Sequence, residues 1–411
     1  MFCIARRQLV ASAPIGRRRA HSAAVSRLLE KKPDDVVITF AKRSAMGRAK
    51  KGQLANTSVD TKLDDPLQAM LEQTKLDPAK VDDICVGTCH PPSPLYVSRA
   101  AALAAGFPAE VPISTVNRLC SSGLMAIRNI ANTIRAGEAT LGVAAGVESM
   151  SLHPRPTPEV APVVSANDQA YDCIQPMGWT SEMVAQHYKV SRAKQDEYAL
   201  RSHQRAERAL KDGIFRDEIL PLRIGEAIVD TDDTIRPGTT AEGLAKLKPA
   251  FADWGEGSTT AGNASGIGDG VALHVLTTRA NAEKEGMPIV AKWGGCVVAG
   301  VDPRYMGIAP VVAIPKMLEL TGLAKEDVNV WEINEAFASQ FAYCVETLDL
   351  PIENVNPQGG SIALSHPLGM TGARLPVTGL AELRRRSEPV LCTSMCIGSG
   401  MGAAAIFVNE M

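Results

Sequence analysis

Two stretches of this chain, 250 residues apart, carry the same helix-then-strand pattern, and that repeat restricts the fold more than any other feature. At this single offset Ser121 falls on Thr371, Glu138 on Glu388, Leu141 on Leu391 and Gly146 on Cys396. Self-similarity at a fixed spacing reads as one structural unit used twice. In the first copy a strand from Val36 to Phe40 opens the unit. A helical pattern near Asp65–Thr74, a strand at Asp83–Val86, a small-residue helix at Tyr96–Ala105 and a strand at Ser114–Val116 follow. A helix from Ser121 to about Arg135 and a strand at Leu141–Ala145 end it. The second copy reads as strand (Ile289–Ala299), helix (Ala309–Thr321), strand (Val328–Glu332), helix (Glu335–Leu348), helix (Thr371–Arg386) and strand (Val390–Ser394). Strands and helices alternating at this rhythm predict an α/β fold with central sheets.

At 411 residues the chain is long enough for two or three domains. Its 45% hydrophobic content supplies a core, and no run of 18 apolar residues reads as a membrane span. The formal charge of −2 selects no nucleic acid, so an anionic ligand has to be met locally. Residues 151–257 break the rhythm with four prolines (Pro154, Pro156, Pro158, Pro162) and a charged helix, Arg192–Asp212. They read as an insertion that elaborates a binding site, or as plain structural padding. The expected organisation is a leading segment over 1–33, a first half over 34–150 resumed at 258–284, the inserted loop domain at 151–257 and a second half over 285–411.

The first 29 residues hold six arginines and no Asp or Glu, the composition of a mitochondrial transit peptide; a disordered basic tail is the alternative. The nine cysteines are odd in number and irregular in spacing, which argues against a disulfide framework. Cys85-Val-Gly-Thr-Cys89-His90 lacks a second pair at zinc-binding spacing, so no metal is assigned.

Three segments carry chemistry. Cys120 stands between a strand and the first turn of a helix, where free N–H groups and the helix dipole favour an anion, so its thiol pKa is expected to fall. His366 lies in the glycine-rich run Gly359–Arg374, a placement suited to a general base. Cys396 ends a strand and opens into Cys396-Ile-Gly398-Ser-Gly400, whose backbone N–H groups suit an oxyanion hole beside a second thiol. Two thiols and an imidazole suit acyl transfer, one thiol carrying the acyl group and the other moving a proton on carbon.

Together with Asn334-Glu-Ala-Phe-Ala338, Gly146-Val-Glu-Ser-Met150, Thr260-Ala-Gly-Asn-Ala-Ser265 and Met306-Gly-Ile-Ala-Pro310, these segments resemble the thiolase family from about Val36 to Val408. Ile235-Arg-Pro-Gly-Thr-Thr240 and Glu242–Phe251 resemble its peroxisomal-type 3-ketoacyl-CoA thiolases, and Leu29–Val37 its fungal members. The resemblance implies duplicated βαβαβαββ halves in a layered α-β-α-β-α sandwich. It also implies CoA-dependent cleavage of a 3-ketoacyl-CoA, with CoA as co-substrate, no permanently bound cofactor, and a homodimer. Cys120 would be the nucleophile, His366 the base for Cys120 and for the incoming CoA, and Cys396 the acid that protonates the acetyl-CoA enolate. Asn334 would position a water in one oxyanion hole, and the N–H groups of Cys120 and Gly398 would form the other. Arg236, Phe251 and Ser265 fall where the family grips CoA. Condensation of two acetyl-CoA molecules is the alternative reaction, and a non-catalytic CoA-binding paralogue the alternative class.

The chain departs from the pattern in places. Ser365 stands where the family usually has glycine, at a cost of roughly 1 kcal/mol or more if the backbone there needs positive φ. Leu119, Met125, Trp179, Gly268 and Met370 also differ, which points to an altered chain-length preference. For location, the basic leader favours the mitochondrion and the subtype the peroxisome; the expectation is the mitochondrion.

Overall fold

The computed structural model describes residues 22–411. Among the described residues, nine strands form the main path of the sheet: β1 (Val36–Arg43), β2 (Asp83–Gly87), β3 (Ile113–Val116), β4 (Leu141–Ser149), β5 (Gly268–Thr278), β6 (Ala291–Gly300), β7 (Val330–Ile333), β8 (Val390–Ile397) and β9 (Met401–Asn409). The helices that matter here are α1 (Ala23–Leu29), α2 (Val59–Thr74), α3 (Pro94–Ala104), α4 (Ser122–Arg135), α5 (Met177–His187), α6 (Arg192–Lys211), α7 (Pro310–Thr321), α8 (Ala338–Thr347) and α9 (Leu368–Arg386).

The strand order β3-β2-β4-β5-β1 in the first half is matched by β7-β8-β9-β6 in the second. In each half two or three parallel strands meet an antiparallel pair. The place of β3 is taken in the second half by a single parallel bridge from Val355 to Trp331. The halves join edge to edge through two residue pairs, Val37 with Lys292 and Ile38 with Ala291. The same wiring therefore appears twice, with Leu141 and Leu391 opening equivalent strands.

Side-chain alternation along the strands builds the layers. On β8, Leu391, Met395 and Ile397 enter the space between the two sheets, while Val390 and Cys392 face outward. On β4, Ala144 faces inward and Val143, Ala145 and Val147 meet α2 and α3. Helices α7 and α8 cover the outer face of the second sheet. Between the sheets lie α4 and α9. A Cβ on Gly123 would sit 2.6 Å from the Gly369 carbonyl, and one on Gly372 would sit 2.5 Å from the Leu124 nitrogen, so only glycine lets the two backbones touch. Helix α9 is buried from Gly369 to Leu383 and tolerates Pro376 in its interior, which costs about 3 kcal/mol in an exposed helix, because burial on all sides holds it in place. Five layers, α-β-α-β-α, result.

Two elements differ from the sequence reading. Residues 23–29, assigned to the leading segment, form α1, whose Ala24 and Val25 pack with Met317 and Trp331 of the second half. Ser22 caps this helix and bonds Asp327. Strand β5, the longest among the described residues, carries no strand pattern in the sequence reading. The inserted residues 151–257 add no strand to the main sheet; they place α5 and α6 beside α8, and the Glu182 carboxylate on α5 accepts the N–H groups of Ser258 and Thr259. Among the described residues no helix is long and apolar enough to cross a membrane, and no group of His, Cys, Asp or Glu is arranged to hold a metal.

Candidate active site

Cys120 is placed by a tight turn. Asn117 Oδ1 accepts the Leu119 N–H, Ser122 Oγ accepts the Arg118 N–H, and Leu119 itself adopts φ 47°. The thiol therefore enters at the first turn of α4 and is buried. The N–H groups of Gly398 and of Cys120 itself face its sulfur and favour its thiolate. Burial pushes the thiol up to about 11, and these two N–H groups and Arg155 only partly offset it. The expected fall in pKa is thus reversed: desolvation outweighs the helix terminus. The resting group is a neutral thiol that needs a base.

His366 supplies an imidazole lone pair. Its Nδ1 lies 2.6 Å from Thr371 Oγ1, and that hydroxyl spends its own hydrogen on the Pro367 carbonyl at 2.8 Å. Thr371 can then only accept, so Nδ1 carries the proton and Nε2 is free. Nε2 faces Asn334 Nδ2 at 3.3 Å. Asn334 Oδ1 is turned the other way, accepting from Ser361 Oγ at 2.6 Å. Burial, with Arg374 adding to it, lowers the His366 pKa to about 3, so the ring is neutral at pH 7.

The loop that delivers His366 is strained. Ser365 has φ 72° and ψ 173°, a conformation that belongs essentially to glycine. Its hydroxyl is buried without a partner. The side chain fits because Gly268 opposite it has none; a Cβ there would lie 2.9 Å from the Ser365 Cβ and nearer still to its Oγ. The next residue is tied in place by the His366 N–H bonding the Gly266 carbonyl at 2.8 Å.

Cys396 ends β8, fully buried among Met306, Ala309 and Ala336. Burial, and then the neighbouring Cys120, hold its pKa well above the usual thiol value. Beyond it Ser399 and Gly400 take positive φ, which turns the chain so that the Gly398 N–H points at Cys120. The structure thus brings Cys120, Gly398 and Cys396 together, and His366 and Asn334 together, with the contact of α4 and α9 linking the two groups.

The residues read as CoA contacts are more dispersed. Ser265 is part of this site, its N–H bonding the Ala336 carbonyl next to Asn334. Arg236 is exposed and holds the Ala261 carbonyl of the same segment. Phe251 stacks on Trp254 at 5.4 Å and lies against Gly178, where a Cβ would come within 2.5 Å of its ring. Sequence reasoning missed Glu148, whose buried carboxylate accepts the N–H groups of Cys89, His90 and Gly369 and so joins the loops that flank both reactive segments. It also left Ser361, Thr371 and Arg374 without roles, although all three lie in the Gly359–Arg374 segment.

Two family models match this chain: thiolase, N-terminal domain, over residues 36–280, and thiolase, C-terminal domain, over residues 287–409. The chain belongs to the thiolase family. A mouse relative, 3-ketoacyl-CoA thiolase A, peroxisomal, is 48% identical over 385 residues, covering 91% of this chain and 90% of its own. The crystal structure of the dimeric peroxisomal thiolase of Saccharomyces cerevisiae superposes with a TM-score of 0.89 at 42% identity, over 94% of this thiolase and all of the yeast chain (100%). The human mitochondrial 3-ketoacyl-CoA thiolase in complex with CoA matches with a TM-score of 0.82 at 35% identity, over 93% of this chain and 100% of its own. The expected mitochondrial location is corrected by these relatives, since those at 44–48% identity, from mammals, a plant and a yeast, are named peroxisomal. Arg-rich composition describes only charge, whereas an import address is read by a receptor as a specific sequence. Residues 1–21, which hold five of the six arginines of that composition, are outside the described residues.

Proposed function

We propose that this thiolase cleaves 3-ketoacyl-CoA with CoA, giving acetyl-CoA and an acyl-CoA shortened by two carbons, in the β-oxidation of fatty acids. The observation that carries the reading is the buried Cys120 thiol facing the Gly398 N–H, beside a second buried thiol, with a neutral imidazole whose Nε2 is unprotonated on the loop that leads into α9, the helix packed against α4. His366 Nε2 takes the Cys120 proton as the sulfur attacks the 3-keto carbon. The developing oxyanion is met by N–H donors, and the bond between C2 and C3 breaks. Cys396 gives its proton to C2 of the departing enolate, releasing acetyl-CoA and leaving the acyl group on Cys120 as a thioester.

The proton balance then determines the second half. His366 holds one proton and Cys396 lacks one, so the thiol proton of the incoming CoA passes to Cys396. His366 returns its own to Cys120 when the thioester is cleaved. In this balance His366 does not take the CoA proton, because its lone pair is already occupied. Asn334 Nδ2, beside His366, is the donor for the thioester oxygen through a water.

Arg236, Phe251 and Ser265 would hold CoA, Arg236 pairing with phosphate. The organisation into two thiolase halves with residues 151–257 as a CoA-binding loop domain belongs to the same reading. The kinship with the dimeric yeast thiolase, and the half-exposed edge strand β3, support a homodimer. The named location of the relatives supports a peroxisomal enzyme. The test is loss of the 3-ketoacyl-CoA enolate absorbance with and without free CoA, comparing acetoacetyl-CoA with a long-chain substrate. CoA-dependent loss abolished in Cys120→Ala supports the reading, and the ratio of the two rates separates it from an acetoacetyl-CoA enzyme. A folded protein inactive on both substrates would contradict it.

A further inference from the structure

The orientation of the Asn334 amide is set from two sides, by the His366 Nε2 lone pair and by a group outside the reacting set. An amide can present either its oxygen or its nitrogen, and here Asn334 turns Nδ2 to His366 and Oδ1 to Ser361. Ser361 Oγ has one hydrogen to give and could give it elsewhere. What prevents that is Arg374. Its Nη2 lies 3.0 Å from Ser361 Oγ, and a guanidinium has donors only, so toward Arg374 the hydroxyl must accept. Its single hydrogen is left for Asn334 Oδ1, and the amide nitrogen is thereby directed to the reacting side.

Arg374 is held in turn. Its Nη1 pairs with Glu332 at 3.2 Å, both side chains being fully buried (0% exposed). Glu332 lies on β7 two residues before Asn334, and Arg374 lies on α9 eight residues after His366. The chain Glu332–Arg374–Ser361–Asn334 therefore spans strand, helix and loop and fixes one hydrogen-bond direction along its length.

We propose that Arg374 and Ser361 are positioning residues, which act through Asn334 to keep its Nδ2 aimed at the water that serves the oxyanion; this rests on the thiolytic reading above. Without Ser361 only the His366 lone pair orients the amide, and once Nε2 takes up the Cys120 proton the amide can flip, turning its oxygen toward the water that serves the oxyanion. The expected loss is in kcat, with KM nearly unchanged, because the donor is needed only when the charge appears.

The test uses the full chain and a double-mutant cycle. Ser361→Ala is expected to lower kcat about tenfold to a hundredfold with KM changed less than about threefold. Ser361→Thr, which keeps the hydroxyl, is expected to restore most of the loss. In an Asn334→Ala background Ser361→Ala is expected to have no further effect, since the residue through which it acts is gone. Arg374→Met should reproduce the Ser361→Ala phenotype where it folds; if it does not fold, the Ser361 cycle decides alone. Unchanged kcat in folded Ser361→Ala, or losses at Ser361 and Asn334 that multiply independently, would overturn the proposal. Activity that survives Cys120→Ala would overturn the thiolytic reading instead.

Discussion

Ser365 and Gly268 make a reciprocal pair whose energetics can be worked out in advance. Ser365→Gly releases a residue from a glycine-only conformation, worth about 1–3 kcal/mol. It also removes a buried hydroxyl that has no partner, worth about 1–3 kcal/mol. Against this stand the added freedom of glycine in the unfolded chain, about 0.5–1 kcal/mol, and about 0.8 kcal/mol for a lost buried carbon. Taking the middle of each range, the net expectation is a gain of about 2 kcal/mol. With an unfolding entropy of about 2.1 cal/mol/K per residue, a chain of this length gains about 1–4 °C in Tm. Gly268→Ala does the opposite. Its new Cβ would lie 2.9 Å from the Ser365 Cβ and 3.1 Å from the Gly47 carbonyl, and overpacking of this kind costs about 1–3 kcal/mol. In Ser365→Gly the first obstacle is absent, so Gly268→Ala should then cost little. The assay is thermal unfolding of the wild type, both single variants and the double variant at one protein concentration. A Gly268→Ala penalty of equal size in both backgrounds would refute the reasoning, since residues in direct competition for space cannot be additive.

Three further outcomes follow from the site. His366→Ala should slow alkylation of Cys120 by iodoacetamide about a hundredfold at pH 7, because a thiol near 11 is left without its base; an unchanged labelling rate would show that another group activates it. Arg236→Ala should raise KM for CoA about tenfold with kcat unchanged, as steady-state kinetics over a CoA titration will show, since the exposed guanidinium serves binding alone. His274 is fully buried with its pKa lowered to about 4, against about 6.5 when unfolded. The unfolded chain takes up this proton first, so stability is lost as pH falls from about 6.5 toward 4. Relative to His274→Gln, the wild type should lose about 2–3 kcal/mol between pH 7 and pH 4.5, measured as the difference between their Tm–pH curves.

The repeat was legible because α4 with β4 and α9 with β8 keep a constant spacing. Strand β5 was not: Gly268, Gly270 and Ala272 lack the bulky alternation that marks a strand, because Gly268 faces Ser365 and Gly270 faces Met370 of α9 at close range. Helix α9 begins at Leu368, before the Thr371 start read from the sequence, because packing of Gly369 and Gly372 against α4 overrides their low helix propensity. The reactive side chains could be picked out by residue type and setting, Cys120 at a helix start and His366 among glycines. Their protonation could not, since the raised thiol and lowered imidazole come from burial, which depends on the whole fold. Ser361, Arg374 and Glu148 stayed hidden for a related reason. Their roles lie in hydrogen bonds to residues 27, 13 and 221 positions away, and no local pattern records such pairings.

The central claim is that Cys120 carries the acyl group between the two half-reactions. The most direct measurement is intact-protein and peptide mass spectrometry after mixing the enzyme with a 3-ketoacyl-CoA in the absence of free CoA. The account predicts one acyl adduct per chain, on the peptide that contains Cys120, which disappears when CoA is added. Absence of an adduct from a protein that turns over substrate, or an adduct on Cys89 or Cys396 instead, would contradict it.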